Sequence, residues 1–103
     1  MKITKSKEFI GEKAWDSLKL AEIDNVTVKL HWTDKAYIWH TNDGSEVFVV
    51  LDGIVNMFYK KDSKERVVQL LAGDIFYAES GDEHKAEPKG VARVLVVERA
   101  GSI

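Results

Sequence analysis

The sequence has no cysteine, a single proline and no long run of one charge sign. Without thiols there are no disulfides, thiolate metal sites, iron–sulfur ligands or cysteine nucleophiles, so site chemistry falls to His, Asp, Glu and the hydroxyl residues. Fifteen basic residues against seventeen acidic ones give a formal charge of -2, which provides no footprint for nucleic acid or an anionic membrane. The start, Met1 to Lys7, leads into no apolar run long enough for a signal peptide or a membrane span, so a cytoplasmic protein is expected. Fixed-period repeats and low-complexity tracts are also missing. What is present is one domain's worth of chain: 103 residues, 45% hydrophobic and 10% aromatic, enough for one core and not for two. Only three histidines are available, His31, His40 and His84, and each therefore carries weight.

Short β-favouring runs punctuated by turn residues dominate the chain, and helical spacing is scarce. Residues 26–32 alternate, with Val26, Val28, Leu30 and Trp32 on one face and Thr27, Lys29 and His31 on the other. This predicts a half-buried strand with its polar face, His31 included, toward solvent. Further strands are expected at 18–23, 36–41, 46–51, 54–60, 66–71, 75–78, 84–87 and 91–98, separated by turns such as Asp52-Gly53 and Ala72-Gly73-Asp74. That rhythm predicts an all-β antiparallel sandwich or barrel. Residues 1–17 read as an N-terminal arm with one helical turn, burying Phe9, Ile10, Ala14 and Trp15. Several strands are apolar on both faces, Val47, Val49 and Leu51 opposing Phe48 and Val50, so either this arm or a second copy of the chain must cover the outer face.

The most informative stretch runs from Trp39 to Phe48, where His40 and Glu46 flank a compact turn. A two-residue loop at Asp43-Gly44 would put the two side chains on opposite faces. A three-residue loop at Asn42-Asp43-Gly44 would set them opposite each other with their roots about 5 Å apart, close enough for a shared metal ion or a hydrogen bond. Glu46 starts a strand whose same-face neighbours Phe48 and Val50 are apolar, so its carboxylate is drawn inward and needs a partner. A second stretch, Gly73 to His84, delivers His84 after a tight turn at Ser80-Gly81-Asp82. Taken alone, His84 is an ordinary exposed histidine.

Together the two stretches resemble the paired motifs of the cupins. The first motif is carried by His40, Asn42, Glu46 and Gly53, and the second by Gly73, Gly81 and His84, both at the family's spacing. The resemblance spans almost the whole chain and is nearest to small single-domain cupins of the type labelled phosphosugar-isomerase-like. It implies an antiparallel jelly-roll barrel. It also implies a metal site in the barrel mouth, but Asn42 stands where the family's second His usually lies and Glu79 where a Pro lies. What remains is His40, Glu46 and His84, a two-His, one-carboxylate set suited to Fe, Mn, Ni or Zn, with Asn42 as a weak amide ligand or water holder.

Two functions follow. One is a small cupin holding a divalent ion at His40, Glu46 and His84 and binding or transforming a small oxygen-rich metabolite by isomerase, lyase or oxygenase chemistry. The other is a metal-free, ligand-binding or structural homodimer in which Glu46 is hydrogen-bonded to His40 or His84 and serves with it as an acid–base pair. Phe48 and Tyr77 are expected to line the pocket, while Trp15, Trp32 and Trp39 serve packing. No nucleotide fingerprint or nucleophile elbow is present. Phosphosugar isomerisation is not supported, because the phosphate would need a convergent Arg or Lys and Lys85, next to His84, should point to the opposite face of its strand.

Overall fold

The computed structural model describes residues 1–102. A short 3₁₀ turn at Ser6–Glu8 precedes nine strands: β1 (Asp16–Ile23), β2 (Val26–Thr33), β3 (His40–Thr41), β4 (Glu46–Asp52), β5 (Val55–Lys61), β6 (Lys64–Leu70), β7 (Ile75–Ala78), β8 (Glu83–Pro88) and β9 (Ala92–Arg99). Every pairing is antiparallel. The strands form a five-stranded sheet, β1-β2-β9-β4-β7, and a four-stranded sheet, β3-β8-β5-β6. This is the all-β antiparallel architecture expected from the strand rhythm, in the jelly-roll form that the cupin resemblance implies. No helix among the described residues is long and apolar enough to cross a membrane.

The core lies between the two sheets. Phe48 and Val50 of β4 and Ala92, Val94 and Val96 of β9 meet Val55, Met57 and Leu70 of the smaller sheet. Turn chemistry fixes the strand ends. Asp62 and Ser63 both take positive φ between β5 and β6, as a two-residue type I′ hairpin requires. Gly53 sits at φ +84, and a Cβ there would lie 2.4 Å from the Val91 carbonyl oxygen, so the β4–β5 turn can close only with glycine.

Three expectations need correction. Most of the anticipated strand at 36–41 is irregular; only His40–Thr41 pairs, and it pairs with β8 rather than with β4. In the N-terminal arm, the helical turn covers only Ser6–Glu8, and Ile10 is exposed. The third correction concerns the facing of β2. Its eight residues pair with β9 without a slip, Thr27 opposite Glu98, Lys29 opposite Val96, His31 opposite Val94 and Thr33 opposite Ala92. Directly opposed residues share a face. Because Ala92, Val94 and Val96 are core residues, the polar face of β2 is the one that turns inward.

The apolar face of β2 therefore lies outside, in continuous rungs across the larger sheet. One rung is Leu18, Leu30, Leu95, Val49 and Ile75, and the next is Ala21, Val28, Val97, Val47 and Tyr77. The arm covers one end of this face: Gly11 packs against the Trp32 ring, and Arg93 donates from Nε to the Phe9 carbonyl at 2.9 Å while its Nη1 meets Asp52 Oδ2 at 2.6 Å. Elsewhere the rungs are open toward the sheet edges, with Ile75 65% and Leu18 41% exposed, whereas Leu30 between them is only 1% exposed.

Candidate functional site

At one end of the core a cavity of about 140 Å³ opens between the sheets. One wall carries His40, Glu46 and His84, whose ligand atoms all lie within 4.8 Å of one another. They meet by a different route from the hairpin expected of the sequence. His40 pairs in register with His84 across β3 and β8, their rings 4.3 Å apart, whereas Glu46 comes from the other sheet, where it pairs with Ala78 and Glu98. The site thus bridges the two sheets, and the turn between Asn42 and Ser45 is the crossing between them rather than a hairpin.

Asn42 makes the crossing rigid. Its backbone N–H donates to Asp82 O and its carbonyl accepts from Gly81 N–H, both at 2.8 Å, and its side-chain Nδ2 donates to Gly44 O at 3.1 Å. This leaves Oδ1 aimed at His84 Nε2, 2.5 Å away. Glu46 Oε1 is also close to Nε2, at 3.2 Å, yet it is buried without an aligned hydrogen-bond partner. An orphaned buried carboxylate oxygen beside two imidazoles and an amide oxygen is a donor set that fits a divalent cation. Ligand atoms about 2.1 Å from one ion stand about 3 to 4 Å apart, a little closer than the 4.8 Å limit of this cluster.

Electrostatics divide the carboxylates. Burial pushes the Glu46 carboxyl up, but His84, with Glu98 and His40, pulls it back below the ordinary carboxylate value. Glu98 is raised to about 7, first by burial and then by the charge and hydrogen bond of Glu46 directly opposite. The His40 imidazole is lowered by burial and by His84, and that of His31 by burial.

The opposite wall is made of residues that sequence reasoning placed elsewhere. His31 lines the cavity instead of facing solvent, because β2 turns its polar face inward. Trp15 is a cavity wall, its ring 6.0 Å from His31 and 5.3 Å from Tyr37. Phe48 lines the cavity as expected, and Tyr77 does not: Phe76 and Ala78 take the inward positions of β7, leaving Tyr77 outside with its hydroxyl donating to Ser45 Oγ at 3.1 Å. Trp39 lies on the surface side, beneath the ammonium groups of Lys60 and Lys85. Glu98 was missed although it left a signal, since it continues the inward parity of Ala92, Val94 and Val96.

No protein-family model matches the sequence, and no curated protein matches it either. Solved structures do match. A cupin-2 domain protein from Shewanella frigidimarina superposes with a TM-score of 0.76 at 24% identity, covering 86% of this chain and 84% of that one. A cupin superfamily protein from Desulfitobacterium hafniense gives 0.77 at 15% identity, covering 92% and 86%. The chain has the cupin fold. A Thermus thermophilus protein matches almost end to end, with a TM-score of 0.77 at 20% identity over 97% of this chain and 98% of that one. In this fold the cluster of His40, Glu46 and His84 could hold a metal ion.

Proposed function

We propose that this cupin binds one divalent transition ion, Fe, Mn, Ni or Zn, through His40, Glu46 and His84, and that it binds or transforms a small oxygen-rich molecule in the adjoining cavity. The observation that carries the reading is the buried, unpartnered Glu46 Oε1 within 4.8 Å of both imidazoles at the cavity wall. A bound ion there would supply Lewis acidity and, if redox-active, one-electron chemistry. The chain's own residues do the rest. Asn42 fastens the turn that carries Glu46, and an ion on His84 Nε2 would take the place of the proton now facing Asn42 Oδ1, leaving that amide oxygen as a further weak ligand or a water holder. Glu98, directly opposite Glu46 on the cavity wall and raised to about 7 in metal-free protein by burial and by Glu46, is placed to exchange a proton with an oxygen in the cavity. Phe48, Ala86 and Val96 line the cavity with apolar surface and exclude water.

The test is metal analysis of untagged protein together with Glu46→Ala and His84→Ala. About one equivalent of metal in the wild type, stabilisation by added Mn, Fe, Ni or Zn, and loss of both in the variants is the expected result. An ion at about a hundred times its Kd adds about 2.7 kcal/mol, which in a domain of this size raises Tm by roughly ten degrees or more. Less than about a tenth of an equivalent with no thermal shift overturns the proposal, since a ligand of the native state must stabilise it.

A second reading is favoured by one contact, the 2.5 Å approach of His84 Nε2 to Asn42 Oδ1. In a metal-free protein this hydrogen bond would fix the imidazole against Glu46, and the two would act as an acid–base pair on a bound ligand. The same metal analysis separates the readings.

We also propose that the working unit is a homodimer joined through the outer face of the larger sheet. The rungs through Leu30 and Val28 are apolar across all five strands, and the arm covers only the Trp32 end. A flat face of this kind is self-complementary under a two-fold axis.

A further inference from the structure

Trp15 bears two unexplained costs at once. It is a bulky residue at φ +58, in the left-handed region that such side chains avoid. Its indole Nε1 is buried with no hydrogen-bond partner. The local turn is built to hold it there, since Asp16 N–H donates to Lys13 O at 3.2 Å and the Asp16 carboxylate accepts from Glu12 N–H at 3.0 Å. Beside it, His31 Nδ1 is likewise buried and unpartnered. Strain and orphaned donors persist where something else repays them, and both orphans lie on residues lining the same cavity wall.

The cavity limits what that something can be. About 140 Å³ is the size of a cavity that takes one benzene ring. From Trp15 the wall continues through Tyr37 at 5.3 Å and His40 at a further 5.4 Å to His84 at 4.3 Å, a row of edge-to-face rings that presents both ring faces and ring edges to a small ring in the cavity. The described residues lining the cavity include no Lys or Arg, while Glu46 and Glu98 are both there. A phosphate or a second carboxylate on the ligand would therefore be buried against carboxyl groups with no cation to offset it.

We propose that Trp15 and His31 form a distal recognition pair that hydrogen-bonds the far oxygen of a small, ring-sized, non-phosphorylated ligand, whose near oxygens are held at the His40–Glu46–His84 end. The assignment rests on the metal-site reading above for the near end only. At the distal end, the indole N–H donates to a hydroxyl or carbonyl oxygen, and the neutral imidazole, with one donor and one acceptor, completes the contact.

Two hydroxypyrones serve as probes. Kojic acid and pyromeconic acid chelate through the same hydroxy-ketone oxygens, and only kojic acid carries a hydroxymethyl group across the ring. Calorimetric titration of the zinc-loaded protein should give kojic acid about a fivefold to tenfold lower Kd, the worth of one hydrogen bond. Trp15→Phe, which keeps a ring and removes the N–H, and His31→Phe should each reduce that preference while pyromeconic acid still binds, which shows that the variants are folded. Equal affinities in the wild type, or a preference that survives both substitutions, overturn the pair. Failure of the wild type to retain zinc overturns the metal reading instead. The same titrations on metal-free protein then decide the distal pair: a preference lost in Trp15→Phe supports it, and no preference overturns it.

Discussion

Glu46 and Glu98 stand directly opposite each other on β4 and β9, and the proton that this opposition traps resides on Glu98. Two like charges facing each other across a ladder repel, and both are withdrawn from water here. His84 lies against Glu46, so the asymmetry is set by the neighbouring imidazole. The sheet thereby provides one ionised and one protonated carboxyl at the same cavity.

A pH dependence follows. In metal-free protein Glu98 binds its proton more tightly folded, at about 7, than unfolded, near the ordinary carboxyl value of 4.5. Between these values the native state holds more protons, so this group's contribution to stability is present below pH 4.5 and is lost as pH rises toward 7. Relative to Glu98→Gln, the wild type should lose on the order of 1 kcal/mol over that window, after discounting for the half-exposed side chain. Urea denaturation at several pH values measures it. A difference between the two proteins that is flat with pH would refute it.

The N-terminal arm depends on one guanidinium. Arg93, with its side chain 11% exposed, links Asp52 to the Phe9 carbonyl. Arg93→Met leaves Asp52 unpaired and frees the arm, at an expected loss of about 2 to 3 kcal/mol. Tryptic cleavage at Lys13 should accelerate in the same variant. Unchanged denaturation and cleavage would mean that the arm is held by other contacts.

Gly53→Ala should be far more damaging than an exposed glycine substitution. It combines a positive φ with a Cβ driven into the Val91 carbonyl. The expected loss is about 2 to 4 kcal/mol, against about 1 kcal/mol for the same change at Gly73, which has positive φ but open space around it. Thermal unfolding of the two variants side by side tests the ranking.

Light scattering tests the dimer. The wild type should have twice the mass of the chain at micromolar concentration, and Ile75→Arg, at a side chain 65% exposed in the single chain, should be monomeric and folded. A monomeric wild type ends the proposal.

Much of the site was legible because the relevant constraint is local. The spacing of His40, Asn42 and Glu46 around one turn, and of Gly81 and His84 around another, marked the candidate cluster before any strand was paired. Pairing itself was not legible. A hairpin between His40 and Glu46 satisfies local turn chemistry, yet His40 pairs with His84, far along the chain. His31 was misplaced for a related reason: alternation says which residues share a face, and only the partner strand β9 says where that face points. Trp15 left no periodic signal, since its position depends on a left-handed backbone turn in the arm.

The facing of β2 has a consequence for how the chain reaches its fold. With Val26 38% exposed and Val28 and Trp32 only half-buried beside the buried Leu30, the strand could bury more apolar surface if it slipped by one residue on β9 and turned that face into the core. The native register is thus selected against a hydrophobically attractive competitor, by the unbroken ladder with β9 and the bulge between Lys19 and Ala21 on β1. Such competition predicts a slow, misregistered species during refolding. Closing the outer face with a second subunit would drain it, because only the native facing presents the apolar rungs for association.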